Sequence, residues 1–115
     1  MATTIYHNPR CSKSRQTLQL LNDNDIEADV VEYLQTPPDA DTLKDILGKL
    51  GLKPRQLMRT KEDIYKELNL ADESLSDEQL IQAMIENPKL IERPIVVKDG
   101  KVAVGRPPEN VLSIL

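Results

Sequence analysis

The 115-residue sequence contains no phenylalanine and no tryptophan, so its hydrophobic core must be aliphatic apart from three tyrosines. Its single cysteine, Cys11, excludes an internal disulfide bond. Its single histidine is His7, and one Cys with one His provides too few of the usual ligands for a zinc site. We therefore predict that the chain binds no metal and no resident cofactor.

Long apolar stretches and runs of positive charge are missing as well. The apolar runs are a few residues long, far below the roughly 20 residues of a membrane span. The net charge is −4, so general binding to nucleic acid is not indicated. The first ten residues, MATTIYHNPR, contain no apolar signal region. These features predict a cytoplasmic protein with one domain, residues 1–115, and neither a membrane nor a nucleic-acid partner.

The first third of the chain has the pattern of a β-α-β unit. Residues 3–6 form a short strand-like run that Asn8-Pro9 stops. A helical spacing of apolar residues begins near Ser14 and ends at residues 22–24, and residues 28–33 read as a second strand. Two strands joined by one helix are expected to be parallel, with a right-handed crossover.

The rest of the chain predicts helices followed by a β-hairpin. A helix is expected from a cap at Asp39 or Asp41 to Gly51, and shorter helices at 54–58, 63–68 and 77–86. Asp99-Gly100 between residues 94–98 and 101–104 predicts a hairpin with a type I′ turn. A C-terminal helix would pack on the sheet through four apolar residues: Val111, Leu112, Ile114 and Leu115.

This order of elements predicts an α/β fold with a four-stranded mixed sheet flanked by helices. A parallel pair followed by an antiparallel hairpin is the order of a thioredoxin-like fold. The helical segment at about 52–92 is then an insert before the third strand. Cys11 would lie after the first strand, where α/β proteins place ligand sites.

The loop around Cys11 has the features of a reactive thiol. A cysteine at a strand-to-helix turn faces the positive end of the helix, which lowers the thiol pKa, and Lys13 and Arg15 follow closely. The alternative is a buried, inert cysteine. His7 is either a charge partner of the thiol or a histidine that caps the turn. Because the second position of a Cys-x-x-Cys motif is Ser14, any redox cycle of Cys11 needs an external thiol.

Three arginines are candidates for binding an oxyanion: Arg59, Arg93 and Arg106. Each stands at the start or end of an element rather than on a repeating polar face. Guanidinium groups bind planar oxyanions through paired hydrogen bonds. The alternative for each arginine is a surface ion pair with an acidic residue. A phosphatase loop of the form Cys-x5-Arg is excluded, because position 17 is Thr17.

Together these segments resemble the glutaredoxin-coupled arsenate reductases and their thioredoxin-fold relatives, in a compact form. The resemblance extends over nearly the whole chain and depends on four segments in the family's order: His7-Asn8-Pro9-x-Cys11-x-x-Ser14-Arg15, Leu57-Met58-Arg59-Thr60-Lys61-Glu62, Glu92-Arg93-Pro94-Ile95-Val96-Val97 and Gly105-Arg106-Pro107.

The resemblance implies a reaction and a role for each candidate residue. Cys11 would attack arsenate, glutathione would be the co-substrate, and glutaredoxin would remove it as a mixed disulfide to leave arsenite. His7 would favour the thiolate, and Ser14 and Arg15 would shape the anion loop. The oxyanion ligands would be Arg59, Arg93 and Arg106. The resemblance also implies a cis peptide bond before Pro94, and the family fold is consistent with a monomer.

Two other functions stay open at this point. One is a glutathione-dependent thiol oxidoreductase that acts on another substrate. The other is a regulatory or binding module that retains the fold without catalysis. Ser14 in place of a second cysteine argues against a redox switch of the Cys-x-x-Cys type.

Overall fold

The computed structural model describes residues 3–115, which form two groups of contacting elements. One unit consists of the chain up to Thr36 together with Arg93–Leu115, and the other of Pro37–Glu92. The second unit includes the helix after Thr36 as well as the segment predicted as an insert. The assignment of residues 1–115 to one domain stays a prediction. Within residues 3–115, no helix is long and apolar enough to cross a membrane.

The first unit contains a four-stranded mixed sheet in the order β2-β1-β3-β4. Its strands are β1 (Thr3–His7), β2 (Ala28–Glu32), β3 (Ile95–Lys98) and β4 (Lys101–Val104). Strand β1 is parallel to β2 and antiparallel to β3, and β3 is antiparallel to β4. The predicted thioredoxin-like arrangement of a parallel pair with a hairpin is confirmed.

Helix α1 (Ser12–Asp23) is the crossover between the two parallel strands. It begins two residues earlier than the predicted start near Ser14. Its side chain Leu21 joins Ile5 of β1 and Val96 of β3 in a fully buried cluster that also contains Val111. Strand β1 lies between two strands and under this cluster, so its C-terminal end at His7 is firmly placed.

The C-terminal helix differs from its prediction. Residues Pro108–Ile114 form a 3-10 helix. Val111 is fully buried and Ile114 packs against the same core, but Leu112 and Leu115 are 45% and 37% exposed. A 3-10 helix repeats every three residues, so of these four apolar residues only Val111 and Ile114 share the inward face with the buried Pro108. The prediction that all four apolar residues pack on the sheet is wrong for Leu112 and Leu115.

The last third of the chain contains a tight turn and two cis peptide bonds. Asp99 and Gly100 have φ values of 52° and 79°, so the predicted type I′ turn is confirmed. The Arg93-Pro94 peptide bond is cis, as the resemblance implied. The Arg106-Pro107 bond is also cis, which the sequence did not predict.

The second unit consists of helices. They are α2 (Ala40–Leu50), α3 (Asp63–Glu67) and α4 (Asp77–Glu86), with 3-10 helices at Pro54–Leu57 and Pro88–Leu90. Asp39 caps α2 by accepting the Thr42 N–H at 2.8 Å, and Gly51 ends it with a φ of 69°. Ser76 and Gln79 form the predicted capping box of α4. The predicted helices of this segment are confirmed within one or two residues.

Candidate active site

Cys11 is the N-cap residue of helix α1 and follows a tight turn after strand β1. Its N–H donates to the Asn8 carbonyl at 3.0 Å, and its own carbonyl accepts the Arg15 N–H at 3.0 Å. These two bonds hold the residue between the turn and the helix. The cysteine is partly exposed, so its sulfur can be reached by a substrate. The predicted position at a strand-to-helix turn is confirmed.

The pKa of the Cys11 thiol lies below its ordinary value. Burial raises this pKa, but the Ser14 backbone N–H, the Arg93 guanidinium and the Lys13 backbone N–H lower it by a larger amount. All three stabilise the negative thiolate. The helix N–H groups stabilise the charge on the sulfur from a distance, because the Cys11 side chain accepts no capping hydrogen bond. The direction agrees with the sequence argument, but the cationic contribution comes from Arg93 rather than from the side chains of Lys13 and Arg15.

Two of the three predicted anion-binding arginines lie at Cys11. Arg106 places its Nη1 atom 3.9 Å from Cys11 Sγ, and the same atom donates to the Arg93 carbonyl at 3.4 Å. Arg93 contacts the sulfur through its guanidinium, which is why it lowers the thiol pKa. Two positive groups therefore lie beside one partly exposed sulfur, and an oxyanion that approaches this sulfur would meet both guanidiniums.

Arg59 lies in the second unit, where it binds two carboxylates. Its Nε donates to Glu62 Oε1 at 3.1 Å, and its Nη1 donates to Glu92 Oε1 at 2.9 Å. Burial lowers the pKa of Arg59, but these two carboxylates raise it by more. This is the pairing with acidic neighbours that the sequence left open for each arginine.

His7 and Ser14 form a buried polar pair beneath the loop. The distance from His7 Nδ1 to Ser14 Oγ is 2.6 Å, and the Asn8 N–H donates to the same oxygen at 3.0 Å. The Ser14 hydroxyl can therefore donate its proton to Nδ1 of a neutral ring. Burial lowers the pKa of His7, Glu32 raises it, and Arg15 lowers it, with a net lowering. A neutral His7 supports the turn through Ser14 and adds no positive charge at neutral pH.

The turn itself is fixed by two further side chains. Arg15 donates from Nη1 to the Pro9 carbonyl at 2.9 Å, which agrees with its predicted role in shaping the loop. Asn8 accepts the Arg10 N–H on its Oδ1 at 3.0 Å. The sequence predicted only that Asn8, with Pro9, ends the first strand, although an Asn that bonds the backbone two residues later is a known turn signal.

The role of Gly105 was also not predicted from the sequence. A Cβ atom at this position would lie 2.8 Å from Pro94 Cγ and would clash with Thr17 Oγ1. Thr17 is fully buried on α1, so the chain segment before Arg106 approaches the helix closely only because residue 105 has no side chain. The available signal was a glycine directly before an arginine of the site.

The chemistry that this arrangement supports is attack by a thiolate on a tetrahedral oxyanion. Cys11 supplies the nucleophile, and two guanidiniums neutralise charge on the oxyanion. In the part of the chain that the structure describes, no three side chains of His, Cys, Asp or Glu lie close enough together to hold a metal ion.

Comparison with protein families gives one match across almost the entire chain. The model of the ArsC family matches residues 6–114. An uncharacterized protein of Escherichia coli strain K12, YfgD, is 67% identical over 112 residues, which cover 96% of this chain and 94% of the relative. An arsenate reductase of Neisseria meningitidis serogroup A is 54% identical over 112 residues, which cover 96% of this chain and 96% of the relative.

Solved structures give the same result. A structure described as arsenate reductase from Vibrio cholerae is 56% identical and superposes with a TM-score of 0.97, covering 100% of this chain and 98% of the other. The α/β architecture with its four-stranded mixed sheet is therefore shared with that enzyme.

Proposed function

The chain belongs to the ArsC family, and we propose that it reduces arsenate to arsenite with Cys11 as the nucleophile. The observation that carries this proposal is the juxtaposition of the Cys11 sulfur with the guanidiniums of Arg93 and Arg106. Relatives that are 45–54% identical are described as arsenate reductases. Arsenate is a tetrahedral oxyanion, which is the class of substrate that this geometry suits.

The proposed first step forms a bond between Cys11 and arsenic. The Sγ thiolate attacks arsenate, and one arsenate oxygen leaves as water after it is protonated. A thiolate is needed because the neutral thiol is a poor nucleophile, and the lowered thiol pKa increases the fraction of Cys11 that is ionised at a given pH. Arg93 and Arg106 bind the remaining oxygens as charge moves onto them.

The electrons come from outside the chain. Glutathione adds to the enzyme-bound arsenic with loss of a second water. A glutaredoxin thiolate then attacks the glutathione sulfur and forms a mixed disulfide, and the electron pair of the broken sulfur–arsenic bond reduces As(V) to As(III). Water finally releases arsenite from Cys11. The single cysteine supports this scheme, because the chain has no second thiol with which to form an internal disulfide.

The remaining predicted residues have supporting parts in the proposal. Ser14 and neutral His7 hold the turn, and Arg15 fixes its outer side through Pro9. Arg59 is proposed as a third ligand of the oxyanion, which then competes with Glu62 and Glu92 for the guanidinium. The protein is proposed to act as a monomer in the cytoplasm, where thiols are kept reduced.

The test is arsenite production from arsenate with glutathione and glutaredoxin present. Cys11→Ser should abolish turnover. Arg59→Ala, Arg93→Ala and Arg106→Ala should each lower kcat/KM about ten- to a hundredfold, since a charged hydrogen bond contributes about 1.5–3 kcal/mol. Lys101→Ala removes an exposed cation from strand β4 and is the matched control with unchanged turnover. Equal turnover by the wild type and Cys11→Ser would overturn the proposal.

A further inference from the structure

A small cleft adjoins the Cys11 loop on the side of strand β2. Its volume is about 150 Å³, and its buried inner residues are His7 and Asn8. Arg10, Glu32 and Gln35 form its exposed edge. It lies at the C-terminal ends of the parallel strands β1 and β2, where α/β folds bind ligands. Drug-sized pockets have roughly 300–1,000 Å³, so this cleft suits the end group of a larger ligand.

The walls of the cleft are held in place by hydrogen bonds. On one side, Asn8 Oδ1 accepts the Arg10 N–H at 3.0 Å. On the other side, the Glu32 carbonyl accepts the N–H groups of Gln35 and Thr36 at 2.9 and 3.0 Å. His7 and Glu32 are partners in the ladder between the strands, which joins the two sides. A ligand would therefore meet a site that is already formed, which reduces the entropy cost of binding.

The polar groups at the edge of the cleft are available to a ligand. Among residues 3–115, the side chains of Arg10, Glu32 and Gln35 form no hydrogen bond and no ion pair. One cation, one anion and one amide thus face the same small space. A group that carries a carboxylate and an ammonium on one carbon atom complements this set, because Arg10 can bind the carboxylate and Glu32 the ammonium.

We propose that this cleft binds the amino-acid end of the thiol co-substrate, the γ-glutamyl group of glutathione, while its sulfur reaches Cys11. The inference rests on the proposed function, which requires an external thiol at Cys11. The cleft is continuous with the loop, because Arg10 is the residue before Cys11 and Asn8 contacts both. Arg10 and Glu32 are then residues that select the co-substrate, and they are distinct from the arginines that bind the oxyanion.

The test uses thiol–disulfide exchange, which needs no arsenic. The Cys11 thiolate attacks one sulfur of glutathione disulfide, forms a mixed disulfide with glutathione and releases glutathione thiolate. The measured quantity is the ratio of this rate to the rate with uncharged bis(2-hydroxyethyl) disulfide on the same variant. Any change in the pKa of Cys11 alters both rates, so it cancels in the ratio.

Two variants and one further disulfide substrate distinguish the contact of Arg10 with the carboxylate from the contact of Glu32 with the ammonium. Arg10→Ala should lower the ratio about ten- to a hundredfold, as for the loss of one charged hydrogen bond. Glu32→Gln should lower it by a similar factor. With dithiodipropionate, which has carboxylates but no ammonium, Arg10→Ala should still slow the reaction, whereas Glu32→Gln should not. Lys101→Ala and Glu27→Gln, which remove exposed charges elsewhere, are the matched controls and should leave the ratios unchanged.

The outcomes distinguish this inference from the proposed function. Ratios unchanged in Arg10→Ala and Glu32→Gln would overturn the cleft as the glutathione site, even if arsenate turnover is intact. Reduced ratios in the absence of arsenate turnover would support the cleft and remove the proposed reaction. An equal decrease of the ratio in the Lys101→Ala control would also overturn the inference, because the decrease would then be an effect of the net charge of the protein.

Discussion

The thiolate of Cys11 is stabilised by groups from widely separated parts of the sequence. The N–H groups of Lys13 and Ser14 are supplied by the helix that begins at Ser12, and Arg93 is supplied from 82 residues further along the chain. The first contribution could be predicted, because it follows from a cysteine at a strand-to-helix turn. The second could not, because sequence spacing does not fix which distant arginine reaches the loop.

The side chain of Arg93 should therefore control the ionisation of Cys11. In Arg93→Ala, the midpoint of iodoacetamide labelling against pH should move to higher pH, because a cation that stabilises the thiolate is lost. Lys13→Ala is the control, since it removes a nearby positive side chain and keeps the backbone N–H that faces the sulfur. A larger increase in Lys13→Ala than in Arg93→Ala would contradict this account.

Among single residues, the roles of His7 and Arg59 were the hardest to predict. The sequence shows that His7 is four residues before Cys11, but its burial and its contact with Ser14 depend on the packing of β1 against α1. Similarly, the acidic partners of Arg59 include Glu92, which is 33 residues away. Burial and long-range pairing decide both protonation and partner choice, and neither has a local sequence signal.

Among the elements, those with a local signal were predicted and those set by packing were not. The Asp99-Gly100 turn and the Ser76–Gln79 capping box follow from the residues themselves. The C-terminal 3-10 helix has no such signal, since its apolar residues also fit an α-helix. The 3-10 form is seen in the structure, where Val111 and Ile114, three residues apart, face the core.

The close approach of α1 to the segment before Arg106 gives a prediction for Gly105, and Gly48 in helix α2 is the comparison. Gly105→Ala should lower the free energy of unfolding by about 1–3 kcal/mol, because the new Cβ would clash with Thr17 and Pro94. Gly48→Ala should raise it by about 0.5–1 kcal/mol, since residue 48 lies in helix α2 with open space around the new Cβ. Urea denaturation measures both, and a neutral or stabilising Gly105→Ala would show that the close approach is absent.

Across the whole molecule, the order of elements was sufficient to predict the mixed sheet. A β-α-β unit restricts the first two strands to a parallel pair, and a two-residue turn restricts the last two to a hairpin. The grouping of α2 with the other helices of the second unit was not predicted, because it depends on contacts between α2 and α4. Local patterns therefore determined which elements form, and tertiary contacts determined how they group.

The stability of the folded chain should fall at mildly acidic pH. Burial holds the pKa of His7 below 6.5, its value in the unfolded chain. The unfolded chain therefore binds more protons than the folded chain as pH falls below 6.5, so the free energy of unfolding decreases until the folded pKa is passed. Because His7 is the only histidine, His7→Asn should remove this dependence between pH 7 and the acidic range. Denaturation at a series of pH values tests it, and an unchanged slope in the variant would contradict it.

The position of Cys11 as the N-cap residue also makes helix α1 sensitive to the state of its sulfur. Interactions that favour the thiolate in the folded chain must, by linkage, stabilise the start of the helix when the thiol ionises. A covalent adduct without that charge removes this stabilisation. The opening of the first turn of α1, seen as faster exchange of its amide hydrogens with solvent, would then distinguish the free thiolate from such an uncharged adduct.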